Sequence, residues 1–518
     1  MEVDLLWNGG IGTYVKASHE SHADAGDRSN DAVRIDASDL RARIVGEGGN
    51  LGLTQAARVE ASLRGVHLDT DAIDNSAGVD LSDHEVNYKI ALAPLVRSGQ
   101  LDRAARHELL FAVADDACEA ALAHNRGQAL ALSLDELRSR RDPDLFRLAV
   151  DRLCEFARLE PAALGLPDEA AVNDRRARQI GFTRPELAVL LGLAKQHAQA
   201  ELMRGDLPAA GYLESLYRSY FPARFEKSIP DALAVHPLRR EITALGIANR
   251  LIDAGGAALV TTLIGEFGVG AGDVISAMLQ AEDVLRAPEY RARLLERAAS
   301  ARSGIYAALV EFDAGVRDVA HYIVRSGACD LDHARVERWR AGVDALRVSL
   351  RDYLSPGELQ NFESRRNRLE AQGVPEDVAF DIAGLTLADR GLNILRVCGK
   401  IGLEPVVVAR IYARLGDETG MNWVYGRLSR SAIVNLWDRM VLLGLRWDLL
   451  DLQREITERL FALRPDEPDA AMDEFLLRHA EIVREVLALE RRAAADSGPS
   501  ALAVVTARLR LLRPPVPG

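Results

Sequence analysis

The feature that most limits what this chain can fold into is a change of pattern near residue 100. Residues 1–100 alternate short apolar runs with Gly-rich turns, whereas residues 101–518 read as helix almost throughout. Residues 3–7 form an apolar run that stops at Asn8-Gly9-Gly10, which predicts a buried strand ending in a turn. Residues 18–31 are polar and predict a loop. Arg43-Ile44-Val45 predicts a second strand, which runs directly into Gly46-Glu47-Gly48-Gly49-Asn50. Thr54 is placed to cap a helix that passes Ala57 and Leu63 and stops at Gly65, and Val66-His67-Leu68 predicts a third strand. A loop is expected over 69–78. Ser82 and Glu85 then match a capping box, with Ser82 at the N-cap of a helix that Pro94 bends or ends. Strand, loop, strand, helix, strand, loop, helix is the order expected at one end of a parallel α/β sheet.

Beyond residue 101 the apolar residues recur at helical spacing, as at Leu109, Val113 and Ala117. Pro185 opens a helix, and long amphipathic segments are expected at 238–252, 275–285, 336–353 and 433–463. The tail over 512–518 is Pro-rich and is expected to fray. Aromatic residues make up only 5%, which weighs against an all-β chain. With 48% hydrophobic and 27% charged residues, the composition is that of a core-forming protein. Lys+Arg 64 against Asp+Glu 77 leaves a net charge of −13, which disfavours nucleic acid and anionic membranes as partners. No apolar run approaches the ~20 residues that span a bilayer, so no membrane segment is expected. Nor is a signal peptide. Cys118, Cys154, Cys329 and Cys398 are too scattered for a zinc knuckle or a disulfide framework, so the cytoplasm is the expected compartment.

Several stretches carry potential chemistry. The Gly46–Gly48–Gly49–Asn50 turn lies between a strand and a helix, where a dinucleotide fingerprint belongs, but Leu51 stands where G-x-G-x-x-G needs its last glycine. Cofactor contact and an ordinary strand-to-helix turn both remain open on spacing alone. Gly268-Val269-Gly270-Ala271-Gly272 reads as a helix-breaking loop. Asp69-Thr70-Asp71 begins like a calcium loop, but Ile73 and Asp74 break the pattern. His19, His22, Asp24 and Asp27 read as a solvated loop, and no metal is expected. His236-Pro237-Leu238-Arg239-Arg240-Glu241 reads as a first helical turn with an Arg–Glu network. The run from Asn75 to Ser82 is the most suggestive. Asn75 offers a donor and an acceptor, Gly78 admits close backbone approach, and Ser82 at a helix start suits a carboxylate or phosphate.

Leu5-Leu6-Trp7-Asn8-Gly9-Gly10-Ile11-Gly12-Thr13, the glycine turn, and residues 71–87 together resemble the large bacterial NAD-specific glutamate dehydrogenases. Thr183-Arg184-Pro185-Glu186-Leu187 and the His236 segment resemble their C-terminal region, so the likeness covers most of the chain. More distantly, Glu47-Gly48-Gly49-Asn50 resembles the E-G-A-N turn of the smaller hexameric glutamate dehydrogenases. Asn75-Ser76-Ala77-Gly78-Val79-Asp80-Leu81-Ser82 resembles their N-A-G-G-V-A-x-S stretch, departing from it at Ser76, Ala77 and Asp80.

The resemblance implies a mainly α chain: residues 1–100 as the C-terminal half of a Rossmann-like dinucleotide-binding domain, and 101–518 as a helical C-terminal region. It implies NAD as cofactor, with Asn50, Asn75, Gly48 and Gly49 on the nicotinamide side. Gly78 and Val79 would line a glutamate pocket, and Ser82 would hydrogen-bond the substrate's side-chain carboxylate. The implied reaction is oxidative deamination of glutamate to 2-oxoglutarate, in a homo-oligomer. The family's catalytic lysine has no counterpart among Lys16, Lys89, Lys195, Lys227 and Lys400, so no catalytic residue is assigned. The chain is therefore expected to be the C-terminal part of a longer enzyme and inactive alone. A helical binding or assembly protein with a relict α/β cap is the alternative. A phenylalanine or leucine dehydrogenase fits less well, because Ser82 suits a side-chain carboxylate.

Overall fold

The computed structural model describes residues 2–205, 210–385, 388–428, 431, 436–493 and 498–513. They form two compact units, Met1–Ser276 and Ala277–Gly518, with the division inside the helix Ala271–Val284.

The first unit begins with β1 (Val3–Asn8), β2 (Val15–Lys16), β3 (Ile35–Asp36) and β4 (Ala42–Glu47). β1 and β4 pair in parallel, with Leu5 opposite Ile44 and Trp7 opposite Gly46. β2 and β3 form a second, two-residue parallel pair that the sequence pattern did not suggest. The third expected strand shrinks to one bridge between Ile44 and His67. β1 was expected to be buried, yet its residues from Asp4 to Trp7 are exposed. Among the described residues β4 is its only strand partner, so nothing covers its outer edge. The inner side packs Val15, Val45, Leu53, Ala57 and Leu68 into a small core.

α1 (Gln55–Leu63) starts as expected, with the Thr54 hydroxyl accepting from the Ala57 N–H at 3.1 Å. The next stretch differs from expectation. Residues 69–78 are not a loop: α2 (Asp71–Asp74) is followed directly by α3 (Ser76–Arg97). Ser82 therefore lies inside α3 and caps nothing, and Glu85 pairs instead with Lys89 at 2.5 Å. The helix starts early because Asp71 and Asp74 are tied to backbone N–H groups of the preceding turn, which orders this segment. Pro94 does not end α3, which continues to Arg97.

α4 (Arg103–Ala112) and α5 (Ala114–Arg141) follow. α3 packs on α5 with His84, Tyr88, Ala91 and Leu92 facing inward, Tyr88 lying three or four residues from each of the others. Tyr88 and Leu92 join a core with Val113, Phe221, Phe225 and Leu233. Then come α6 (Pro143–Ala157), α7 (Glu169–Ala177) and α8 (Arg184–Arg204), the last opened by Pro185 as expected. Glu186 in its first turn is buried. It accepts from the Thr183 N–H at 2.8 Å and from Arg175 through two bonds of 2.6 and 2.8 Å. α8 also holds the α/β part: Arg184 grips Asp69 at 2.6 and 3.1 Å, and Gln55 donates to the Pro185 carbonyl at 3.1 Å.

The expected helix over 238–252 is Arg239–Gly255, and Gly268 ends the next one, Leu259–Phe267, in a left-handed conformation. Among the described residues the regular elements of the second unit are all helices. The segment expected at 336–353 is two helices, His333–Val348 and Leu350–Tyr353. The one expected at 433–463 is described from Leu436 to Leu463; its first residues lie outside the described set, as do 514–518 of the tail. Among the described residues no single helix is long and apolar enough to cross a membrane.

Candidate functional site

Two glycine turns meet at the C-terminal ends of β1 and β4. The Gly49 N–H donates to the Asn8 carbonyl at 2.8 Å, and the Tyr14 N–H to the Gly52 carbonyl at 2.9 Å. The glycines are demanded by this approach. A Cβ on Gly46 or Gly48 would lie 2.6 Å from the Trp7 indole, and one on Gly49 would lie 2.3 Å from the Gly10 carbonyl oxygen. The closeness expected of a ligand at Gly48 is thus taken up on that side by Trp7. Leu51, where the fingerprint would carry glycine, has a φ of 62°, the left-handed region that favours glycine.

Beneath the turn lies a buried ionic cluster. Glu47 is 1% exposed and receives the Arg58 guanidinium through two bonds of 2.7 and 2.8 Å. Arg58 also reaches Asp71 at 3.1 Å. The aspartates that imitate a calcium loop serve protein donors. Asp71 accepts from the Leu51 N–H and Asp74 from the Glu47 N–H, both at 2.8 Å, while Asp69 takes Arg184. In the polar loop, Asp27 accepts from the Thr13 N–H at 2.9 Å, and the Arg34 guanidinium lies 3.1 Å from His22 Nδ1.

Burial, reinforced by the charges of Asp69 and Glu47, pushes the Asp74 carboxyl up to about 6, against the pull of the Glu47 N–H and Arg184. An acid whose pKa rises on folding favours the fold while protonated. That contribution is complete below the unfolded value of 3.8 and is lost as pH rises through about 6. Asp74→Asn keeps an acceptor for the Glu47 N–H and removes the charge. It is expected to raise the melting temperature above wild type near about pH 8, with the gain vanishing near about pH 4. Melting curves of both proteins at the two pH values check this; an equal difference at both would contradict it.

The turn and the start of α3 converge on one contact. Asn75, at the N-cap of α3, donates its side-chain amide to Asn50 Oδ1 at 2.8 Å across 25 residues of sequence. Asn75 is anchored from below, where Asn125 on α5 donates to the Ile73 carbonyl at 2.7 Å and to the Ser76 hydroxyl at 2.9 Å. Gly78, Val79 and Ser82 follow Asn75 at three, four and seven residues, so all four share a helix face. Gly78 and Ser82 are exposed and Val79 is 67% exposed. The structure thus brings the residues expected at cofactor and substrate onto one open corner. His236 is placed elsewhere: its Nε2 lies 3.1 Å from the Asn87 carbonyl in the α3 packing, and Arg239 pairs with Glu214.

Comparison with known proteins fits this arrangement. Residues 1–135 match a family described as "Bacterial NAD-glutamate dehydrogenase, catalytic domain", and residues 179–513 match "Glutamate dehydrogenase, C-terminal". The chain belongs to the bacterial NAD-glutamate dehydrogenase family. A protein of Pseudomonas aeruginosa named NAD-specific glutamate dehydrogenase is 33% identical over 513 residues, 98% of this chain and 32% of the relative. Proteins of the same name from Halomonas elongata and Mycobacterium tuberculosis are 31% and 30% identical, covering 92% and 99% of this chain and 30% and 32% of their own lengths. The chain thus spans about a third of the length of the curated relatives it matches. The first family match contains the whole amide corner.

The sequence reading missed the Arg58–Glu47–Asp71 cluster under the corner and the Asn125 anchor. The signal was faint: an arginine on the inward face of α1 and an asparagine in mid-helix, each partnered through tertiary packing alone.

Proposed function

We propose that this chain supplies one wall of the nicotinamide and glutamate pocket of an NAD-dependent glutamate dehydrogenase. The observation that carries the reading is the Asn50–Asn75 amide contact beside the exposed Gly78–Val79–Ser82 face. Paired as they are, the two amides keep an Asn50 N–H donor and an Asn75 carbonyl acceptor, and the opposite amide orientation leaves the same complement. That donor and acceptor match the carboxamide of nicotinamide, so the residues present fit NAD. Gly48 and Gly49 form the backbone of this cofactor corner. NAD, when bound, accepts the hydride from the glutamate α-carbon.

The chain's own residues bind and orient. Gly78 leaves open space along the helix, Val79 offers an apolar surface to the substrate's methylenes, and the Ser82 hydroxyl donates to its side-chain carboxylate. Ser82 does not need a helix N-terminus for this, because its exposed hydroxyl lies one turn beyond Val79. In this reading, residues 1–100 are half of a Rossmann-like domain and 101–518 the helical region of a cytoplasmic homo-oligomer.

An apolar rim supports an opposite wall contributed by other protein. Leu5, Trp7, Ile44 and Leu51 are exposed around the corner, with Trp7 at 60%. Lys16, Lys89, Lys195 and Lys400 are ion-paired with Asp36, Glu85, Asp253 and Glu458, and Lys227 is exposed on a separate short helix. The 518-residue chain alone is therefore expected to form no NADH from glutamate and NAD.

A chimera tests the reading. The aligned third of the Pseudomonas enzyme is replaced by this chain, and NADH formation is followed. The chimera is expected to turn over. Ser82→Ala is then expected to raise KM for glutamate roughly ten- to a hundredfold, the worth of a hydrogen bond to a charged group. A folded but inert chimera, or a Ser82→Ala variant with unchanged KM, contradicts the reading.

A further inference from the structure

Three side chains of metal-ligand type converge between α3 and α5, behind the face that carries Gly78, Val79 and Ser82. Asp80 and His84 are one turn apart on α3, and His124 comes from α5, 44 residues beyond Asp80. Asp80 Oδ2 lies 2.7 Å from His124 Nδ1, and Asp80 Oδ1 lies 3.3 Å from His84 Nδ1. All three ligand atoms lie within 4.8 Å of one another. The geometry points to a binding site for a single divalent transition ion of the zinc class, clasping α3 to α5.

The donor set and its spacing carry this. Two imidazole nitrogens and one carboxylate oxygen suit a borderline ion such as Zn2+. Bonds of about 2.0–2.1 Å in a tetrahedral site put neighbouring ligand atoms about 3.3 Å apart, so only small movements are needed. The site is also held in advance. The buried His84 ring stacks on Tyr220 with centroids 4.4 Å apart and planes 11° from parallel. The Tyr220 hydroxyl is itself fixed by the Asn87 amide at 2.8 Å.

Asp83 adds negative charge beside His84, while Asp253 near His124 is itself paired with Lys195 at 2.7 Å. Burial disfavours the His84 imidazolium, but Asp80 outweighs it and raises the pKa. The two histidines in turn hold the Asp80 carboxyl well below its usual range against the effect of burial. His84 Nδ1 lies 2.9 Å from the Asp80 carbonyl, a contact that the ion's arrival breaks. His124, 42% exposed at its side chain, gives the entry path and leaves a fourth position toward solvent. This site is independent of the dehydrogenase reading, since none of its ligands is assigned to cofactor or substrate.

The test is metal binding by the chelator-treated 518-residue chain. Zn2+ is titrated against a chromophoric competitor, and Co2+ serves as the spectroscopic probe. Wild type is expected to bind one more equivalent of Zn2+ than His124→Ala or Asp80→Asn, or to bind it roughly tenfold or more tightly. Its Co2+ form is expected to show the intense visible bands of four-coordinate Co2+ without a thiolate charge-transfer band. His124→Ala is the safer variant because that ring is half-exposed, and circular dichroism verifies its fold. Equal Zn2+ stoichiometry and affinity in wild type and both variants, or a Co2+ spectrum shared by all three, overturns the site and leaves a clasp held by hydrogen bonds alone.

Discussion

Arg58→Ala is expected to unfold the glycine corner. The substitution removes the guanidinium bonded twice to Glu47, a carboxylate with 1% exposure, and also strips one partner from Asp71. Removing one member of a buried pair leaves an uncompensated charge, which costs roughly 3–5 kcal/mol. For a unit of this size that lowers the melting temperature by on the order of 10 °C. Arg58→Lys keeps the charge but loses the two-pronged geometry, so it should fall between. Glu47→Gln combined with Arg58→Met removes both charges and should recover much of the loss. Amide hydrogen exchange at Glu47 and Leu51, whose N–H groups are held by Asp74 and Asp71, localises the effect. If Arg58→Ala lowered stability by less than about 1 kcal/mol, the pair would not be what holds the corner.

Gly49→Ala is the second large effect, and it acts through shape. The added Cβ would lie 2.3, 2.5 and 2.9 Å from the O, C and N of Gly10, all backbone atoms. No rotamer change relieves such a clash, so the two turns must separate. The Gly49 N–H bond to Asn8 weakens, and Asn50 moves away from Asn75. Overpacking of this kind costs roughly 1–3 kcal/mol. Gly78→Ala is the contrasting control. A Cβ there meets nothing within 4 Å, and alanine in a helix is better than glycine by roughly 0.5–1 kcal/mol. Gly78→Ala should therefore gain stability and, in the active chimera, lose affinity for glutamate. A destabilised Gly78→Ala protein would show that this glycine is needed for packing rather than for a substrate.

The comparison of Ser82 with Thr54 shows how far local pattern reaches. Both precede an apolar helical run, yet only Thr54 caps one. Ser82 with Glu85 has the right spacing for a box, but that pattern says nothing about whether a helix has already begun upstream. The ties of Asp71 and Asp74 to the turn before them start α3 at Ser76. Likewise the apolar run at β1 was legible as a strand, but its exposure depends on what lies beside it.

The amino-acid order alone determined the β1 and β4 strands, the glycine turns that follow them, the Thr54 cap and the helix opened by Pro185. Each rests on interactions within a few residues, so a short window of sequence contains the cause. Tertiary structure alone decided which carboxylate meets which guanidinium. It brought Asn50 to Asn75, closed Glu47 around Arg58, and gathered Asp80, His84 and His124 between two helices. Those contacts join residues as far as 44 positions apart at the Asp80–His124 pair and 115 at Arg184–Asp69, and their energies depend on burial and on distances of a few ångströms. The way α3 packs on α5 and the two glycine turns on each other sets both.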